Sequence, residues 1–217
     1  MELKGKKILF LGDSITEGHG TSSVQKTYWS LLAARDGVEA VGYGIGGTRI
    51  ARQKFPSIES KWDKDFLSRV ESMEDKADVV VVFGGTNDYG HGDAPLGSMD
   101  DRDATSFYGA LHCLYQALLK KYPAAQIVVM TPLHRQGENN LYNEFGFRNV
   151  ASLGTYVKII GEVAEFYALP VLDLYSLSGI QPELPLLRER YAPDGLHPND
   201  EGHERIYRLL REFLIRL

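Results

Sequence analysis

Short apolar runs alternate with amphipathic stretches along almost the whole chain. Ile8-Leu9-Phe10-Leu11 follows Lys7 and stops at Gly12, which reads as a buried strand. Residues 38–43 form a second, weaker strand pattern. Val79-Val80-Val81-Val82-Phe83 is β-branched at four positions and closed by Gly84-Gly85, the firmest strand signal present. Ile127-Val128-Val129-Met130 ends at Thr131-Pro132, and residues 169–172 give a last short strand.

Helical periods fill the gaps. They cover residues 27–35, and residues 58–72, where Trp62, Phe66 and Val70 recur every fourth position. Over 103–121, Ala104, Phe107, Tyr108, Leu111, Leu114, Tyr115 and Leu118 share one stripe. Over 149–167, Leu153, Tyr156, Ile160, Val163 and Tyr167 stay in phase. The last helix starts near Asn199 or Asp200, either of which can cap it, and turns Ile206, Leu209, Leu210, Phe213 and Leu217 inward. The pattern predicts one domain over 1–217: an α/β fold, a three-layer α/β/α sandwich on a parallel five-stranded sheet in flavodoxin-like order. Two long loops, about 133–148 and 175–193, are expected to shape a binding site.

Composition narrows the function classes. The chain has 24 Lys and Arg against 29 Asp and Glu, a formal charge of −5. That argues against a nucleic-acid partner, which calls for a basic face, and against anionic membranes. No apolar run approaches the roughly 18 residues of a membrane span, so no stable membrane association is expected. The single cysteine, Cys113, excludes an internal disulfide and falls in an apolar helical pattern, where it reads as a packing thiol. The charged N-terminus runs straight into a strand with no signal-peptide core. A cytoplasmic protein is expected, with export behind a removed leader left open. A homo-oligomer is compatible with the sequence.

Ligands of such sheets bind beyond the carboxyl ends of the strands. Ser14 follows the first strand there, Gly44 to Gly47 follow the second, and Gly85-Thr86-Asn87-Asp88 follows the third. Each has a plainer reading, as a helix cap, a flexible turn or an Asn-stabilised loop. Gly42-Tyr43-Gly44-Ile45-Gly46-Gly47 also matches G-x-G-x-x-G. However, Pro56 and the helical setting of Asp63 and Asp65 break the βαβ unit that a dinucleotide site requires. Near the C-terminus, Asp194 and His197 are three residues apart on a Gly-containing loop. At that reach, Asp194 can accept from one imidazole nitrogen while the other faces a hydroxyl. Of the other histidines, His112 and His203 fall in helices, whereas His19, His91 and His134 lie in loops on the strand-end face. No paired Cys or His spacing suggests zinc.

Together, the four segments resemble the SGNH hydrolases, also called the GDSL family. Gly12-Asp13-Ser14-Ile15 is similar to the block with the nucleophile, Ile45-Gly46-Gly47-Thr48 to the block with an oxyanion glycine, Gly85-Thr86-Asn87-Asp88 to G-x-N-D, and Asp194-Gly195-Leu196-His197-Pro198 to D-x-x-H-P. They occur in family order from Gly12 to Pro198. The resemblance implies Ser14 as nucleophile, His197 as base and Asp194 as orienting acid. It also implies an oxyanion hole from the N–H groups of Ser14 and Gly47 and the amide of Asn87, with no metal and no cofactor. One departure is visible. Where relatives often carry Asn ahead of the second-block glycine, this chain has Gly42, so Gly46 stays open as an alternative to Gly47.

The expected function is that of a serine esterase or acylhydrolase on small-molecule carboxylic esters, working through an acyl-enzyme, with short acyl or acetyl groups favoured. A carbohydrate O-acetyl esterase and a lysophospholipase-like lipase are the alternatives. A nucleotide-binding protein using Gly42 to Gly47 and a non-catalytic binding module are more remote. Asp13, His19, Tyr89, Arg148 and Tyr191 are the candidates for substrate contact. Loop aromatics such as Trp29, Tyr142, Phe145 and Phe147 suit a sugar or an apolar acyl group.

Overall fold

The computed structural model describes residues 1–143 and 145–217. Its five strands are β1 (Lys7–Gly12), β2 (Glu39–Gly44), β3 (Val79–Phe83), β4 (Gln126–Met130) and β5 (Val171–Leu172). They form one sheet in the order β2-β1-β3-β4-β5, with every neighbouring pair parallel. This is the flavodoxin-like order expected from the alternation of strand and helix patterns. The helices are α1 (Ser14–Glu17), α2 (Tyr28–Asp36), α3 (Phe66–Arg69), α4 (Thr86–His91), α5 (Phe107–Lys121), α6 (Leu153–Phe166), α7 (Leu174–Leu177), α8 (Pro185–Tyr191) and α9 (Asp200–Arg216).

Both faces of the sheet are covered, and the two-residue period of the strands sorts their side chains between them. Leu9, Leu11, Val80, Val82, Ile127 and Val129 pack with α5 and α6. Ile8, Phe10, Val79, Val81, Val128 and Met130 pack with α2 and α9. All five residues of β3 are buried, because a central parallel strand has no solvent face.

The helical period over 58–72 does not become one helix. A 3₁₀ turn at Ser60–Asp63 is followed by a new start at α3, where the Asp65 side chain accepts from the Ser68 N–H, and another 3₁₀ turn at Val70–Ser72. That cap competes with continuation of the first turn, so Trp62 leaves the face shared by Phe66 and Val70. Helix α5 starts four residues later than the stripe suggested, at the Ser106 cap, and α6 likewise starts at Leu153. On α9 the inward residue at the end is Leu214, while Leu217 is exposed. Cys113 is only half-buried, with its Sγ 3.4 Å from the Arg102 carbonyl. Among the described residues no helix is long and apolar enough to cross a membrane.

The register explains why distant segments converge. Gly12 of β1 pairs with Gly44 of β2 and with Phe83 of β3, so these three strands end level with one another. The segments holding Ser14, Gly47 and Asn87 therefore leave the sheet side by side, at the point where strand order reverses around β1.

Candidate active site

Ser14 opens α1, directly after β1. Asp13 caps that helix, with its Oδ1 accepting from the Ile15 N–H at 3.0 Å. Asp13 is buried, and loss of hydration pushes its carboxyl up to about 6, against the pull of the Ile15 N–H, His197 and Arg69. It lies behind the nucleophile turn rather than toward a ligand. Ser14 is itself nearly buried, and its Oγ is 3.0 Å from His197 Nε2, across 183 residues of sequence.

The far partner is held by the docking of α9 on α2 and on the loop after α1. Asp200 accepts from the Ser22 N–H and hydroxyl at 2.8 and 2.7 Å. The buried His203 accepts the Tyr28 N–H on Nδ1 at 3.1 Å. Asp36 accepts from the Tyr207 hydroxyl at 2.9 Å and from Arg211 at 2.6 Å. These contacts fix the loop that precedes α9, and with it His197.

Within that loop, Asp194 divides its oxygens. Oδ1 accepts from the N–H groups of Leu196 at 2.9 Å and His197 at 2.7 Å, and Oδ2 faces His197 Nδ1 at 2.7 Å. Partial burial opposes its ionisation, but the His197 ring and the two amides outweigh it and hold the carboxyl at about 2. Asp194 is therefore an anion at neutral pH, and Nδ1 carries a proton toward it. That leaves Nε2 free to accept from Ser14.

The second-block loop differs at its two glycines. The Gly46 N–H donates to Glu17 Oε2 at 2.7 Å, whereas the Gly47 N–H has no acceptor among the described residues. Gly47 is left-handed, with φ of 77°, and the Trp62 indole lies where its Cβ would be. Only glycine fits both constraints. At Gly42 an added Cβ would come within 2.7 Å of the Trp29 ring, whose Nε1 donates to the Thr16 carbonyl. The departure at Gly42 thus makes room for Trp29, which supports α1 from behind.

Asn87 is buried in the first turn of α4, and its Nδ2 donates one hydrogen to the Thr48 carbonyl at 3.0 Å, which leaves the second to point elsewhere. Asp88 beside it accepts from the N–H groups of Ile50 and Ala51 at 2.9 Å each. Burial pushes Asp88 up to about 6 despite those bonds. A residue that sequence reasoning missed joins these segments. The buried guanidinium of Arg69 donates to the carbonyls of Gly12 at 3.1 Å and Tyr43 at 2.9 Å, and to the Thr48 hydroxyl at 3.2 Å. It thereby ties the end of β1 to β2 and to the second-block loop. Burial pulls its charge down to about 10, opposed by Asp13 and Asp65. A lone Arg in a broken helical pattern carries no signal of such a role.

Two cavities lie near these segments, one reaching His197 directly and the other reaching Gly47 only through Trp62. One, of about 530 Å³, is lined by His197 and Asp194 with Gln136, Asn140, Asn143 and Asn149. The other, of about 510 Å³, lies behind Trp62 and is lined by His91, Phe145, Phe55, Ile58 and Val150. Of the candidates for substrate contact, Tyr89 lines the first cavity, where its hydroxyl donates to the Gly137 carbonyl, and exposed Arg148 lines the second. His19 is half-exposed, 5.3 Å from His197 ring to ring, and bonded to Glu17. Tyr191 is a correction. It is buried in the core beneath α9, with Arg190 over its ring, and lines neither cavity. His134 is bonded to Glu138 and stacked on Tyr175, also away from both. Among the described residues no three His, Cys, Asp or Glu side chains gather where they could hold a metal ion.

Comparison with known proteins places the chain in a family and agrees with its fold. The model of the GDSL-like lipase/acylhydrolase family matches residues 10–205. A GDSL lipase of Mycobacterium tuberculosis is 26% identical over 202 residues, covering 91% of this chain and 76% of its own length. A solved structure from Lactobacillus plantarum is 32% identical and superposes with a TM-score of 0.81, over 99% of this chain and 98% of the other. A member of the lipolytic protein G-D-S-L family from Veillonella parvula, 16% identical, shares the fold with a TM-score of 0.65 over 97% and 99% of the two chains.

Proposed function

The chain belongs to the GDSL-like lipase/acylhydrolase family and is an ester-hydrolysing serine hydrolase, and we propose that Ser14, His197 and Asp194 carry that chemistry as nucleophile, base and orienting acid. The observation behind this reading is the continuous chain from Ser14 Oγ to His197 Nε2 at 3.0 Å and from Nδ1 to Asp194 Oδ2 at 2.7 Å. His197 takes the hydroxyl proton as Oγ bonds to the ester carbonyl carbon. It returns that proton to the alcohol oxygen as the carbon–oxygen bond breaks. Water then attacks the acyl-enzyme, giving its proton to His197 and releasing the carboxylic acid while Ser14 regains a hydrogen.

The oxyanion formed on the way meets the N–H groups of Ser14 and Gly47 and the free hydrogen of Asn87. The Gly46 N–H is already committed to Glu17, which favours Gly47 as the donor. Asn87→Ala should lower kcat by about 10² to 10³ with little change in KM. An unchanged kcat would remove Asn87 from the hole.

A small aryl phosphonate tests the nucleophile directly. Intact-mass analysis should show one adduct, mapped by peptide sequencing to Ser14 and absent from Ser14→Ala. An adduct on any other residue would overturn the assignment.

A further inference from the structure

We propose that the two cavities divide one substrate between them. The apolar cavity takes an aryl or medium-length alkyl acyl group, and the polar cavity takes a polyhydroxylated alcohol. The inference rests on the proposed Ser14–His197 chemistry and adds which half of the ester goes where.

The direction follows from what each cavity adjoins. Trp62 stands against Gly47, whose N–H has no acceptor among the described residues, and packs on His91, with ring centroids 4.6 Å apart. His91 ends the same short helix, α4, that carries Asn87 in its first turn. The apolar cavity thus borders the oxyanion side of the site, where the carbonyl and its acyl group lie. His197 and Asp194 line the other cavity directly. His197 must hand its proton to the departing oxygen, so the alcohol leaves on that side.

The linings fit those halves. Phe145 closes on both Trp62 and His91, with centroids 6.1 and 6.2 Å away. Burial, with Arg49 and Arg135 nearby, pulls His91 down to about 4, so its ring is neutral. Among the described residues, the charged groups at the apolar cavity are Arg49, Asp93 and Arg148. Arg49 is bonded to Asp63 and His91, and Asp93 to the N–H groups of Lys54 and Phe55. Among the described residues neither Asp93 nor Arg148, at the exposed edge, takes part in an ion pair; Asp93 is held by backbone N–H groups alone. Among the described residues the inner wall is mostly aromatic and aliphatic, which suits an uncharged acyl group. About 510 Å³ is also far more room than acetyl needs, since pockets of 300–1,000 Å³ take drug-sized ligands. The proposal thus favours larger acyl groups than the short ones expected from sequence. On the other side, Gln136 and Asn140, with the parts of Asn143 and Asn149 not used in holding their own loop, offer amide groups to hydroxyls.

Two measurements test the division. Hydrolysis of p-nitrophenyl acetate, butyrate, octanoate and benzoate should show kcat/KM at least about tenfold higher for the larger acyl groups than for acetate. Phe145→Ala and Ile58→Ser should each lower the octanoate-to-acetate ratio several-fold. Octyl glucoside, an ether that cannot be hydrolysed, should bind Ser14→Ala below its micellar concentration, quenching or shifting the fluorescence of Trp62 in a Trp29→Phe background. Phe145→Ala and Gln136→Ala should each weaken that binding at least about fivefold. Acetate preferred over octanoate, with a ratio indifferent to Phe145, would overturn the assignment and leave the hydrolase chemistry standing. Glucoside binding with the expected variant pattern but no hydrolysis of any ester would fail the hydrolase chemistry and leave the cavities' assignment standing.

Discussion

Ser14→Ala should lower kcat/KM for p-nitrophenyl butyrate by about 10⁴ or more, by the behaviour of other serine triads. The size follows from the absence of a stand-in. The neighbouring hydroxyl, Thr16, is buried and bonded to the Tyr28 hydroxyl at 2.9 Å, so it has no access to His197. The residual rate should come from water acting with the oxyanion donors, which the substitution leaves in place. Folding should be untouched, because the bond of Oγ to the His197 ring is the only side-chain bond that Ser14 makes among the described residues. Far-ultraviolet dichroism and the melting temperature check that point. A variant that melts like the wild type yet keeps more than about one hundredth of its activity would exclude Ser14 as the nucleophile.

Much of this arrangement was legible in the sequence because strong local rules carried it. A β-branched run such as Val79 to Val82 has few alternatives to a buried strand, and five such runs separated by helical periods leave few topologies. The same rules failed where two local signals compete. Over 58–72 the four-residue period asked for a helix, but Asp65 offered the backbone a better bond as a cap. Trp62, which leaves that face, lies against Gly47 and forms part of the wall of the apolar cavity.

The segments that meet at the site were readable as short motifs, since each keeps its spacing within a few residues. What brings them together was not. Arg69 joins three segments through two carbonyls and the Thr48 hydroxyl, and Asp200, His203 and Asp36 pin α9 through partners about 170 residues away. No periodicity or motif encodes contacts of that range. Tyr191 shows the reverse error. An aromatic next to the Asp-x-x-His loop suggested a ligand, but the helix α8 that ends there turns it into the core. The cavities were legible only in part: the long loop over 133–148 lines both, as expected, but their other walls come from the loops after β2 and β3 and from the Asp194–His197 loop.

Asp194→Asn should cost about 10⁴ in kcat, and more than Asp194→Ala costs. The order is unusual for a conservative substitution, and it follows from how Asp194 divides its oxygens. Oδ1 already receives two N–H groups, from Leu196 and His197. An Asn amide nitrogen placed there would set donor against donors, so the Asn oxygen keeps that position and its NH₂ turns to the His197 ring. Nδ1 must then accept, the ring proton moves to Nε2, and the base presents a hydrogen to Ser14 where it should present a lone pair. In Asp194→Ala the ring loses its partner but is not forced into the wrong tautomer. The side chain it replaces is 52% exposed, so water can reach Nδ1 and the productive form persists in part. The Ala variant should therefore exceed the Asn variant by roughly tenfold, within the scale of tautomer effects in such triads. Nitrogen chemical shifts of the His197 ring read the tautomer independently of rate. Nε2 should be protonated in Asp194→Asn, and Nδ1 in the wild type. An Asn variant faster than the Ala variant would mean that the two backbone bonds of Oδ1, which Asn keeps and Ala loses, matter more than the ring proton.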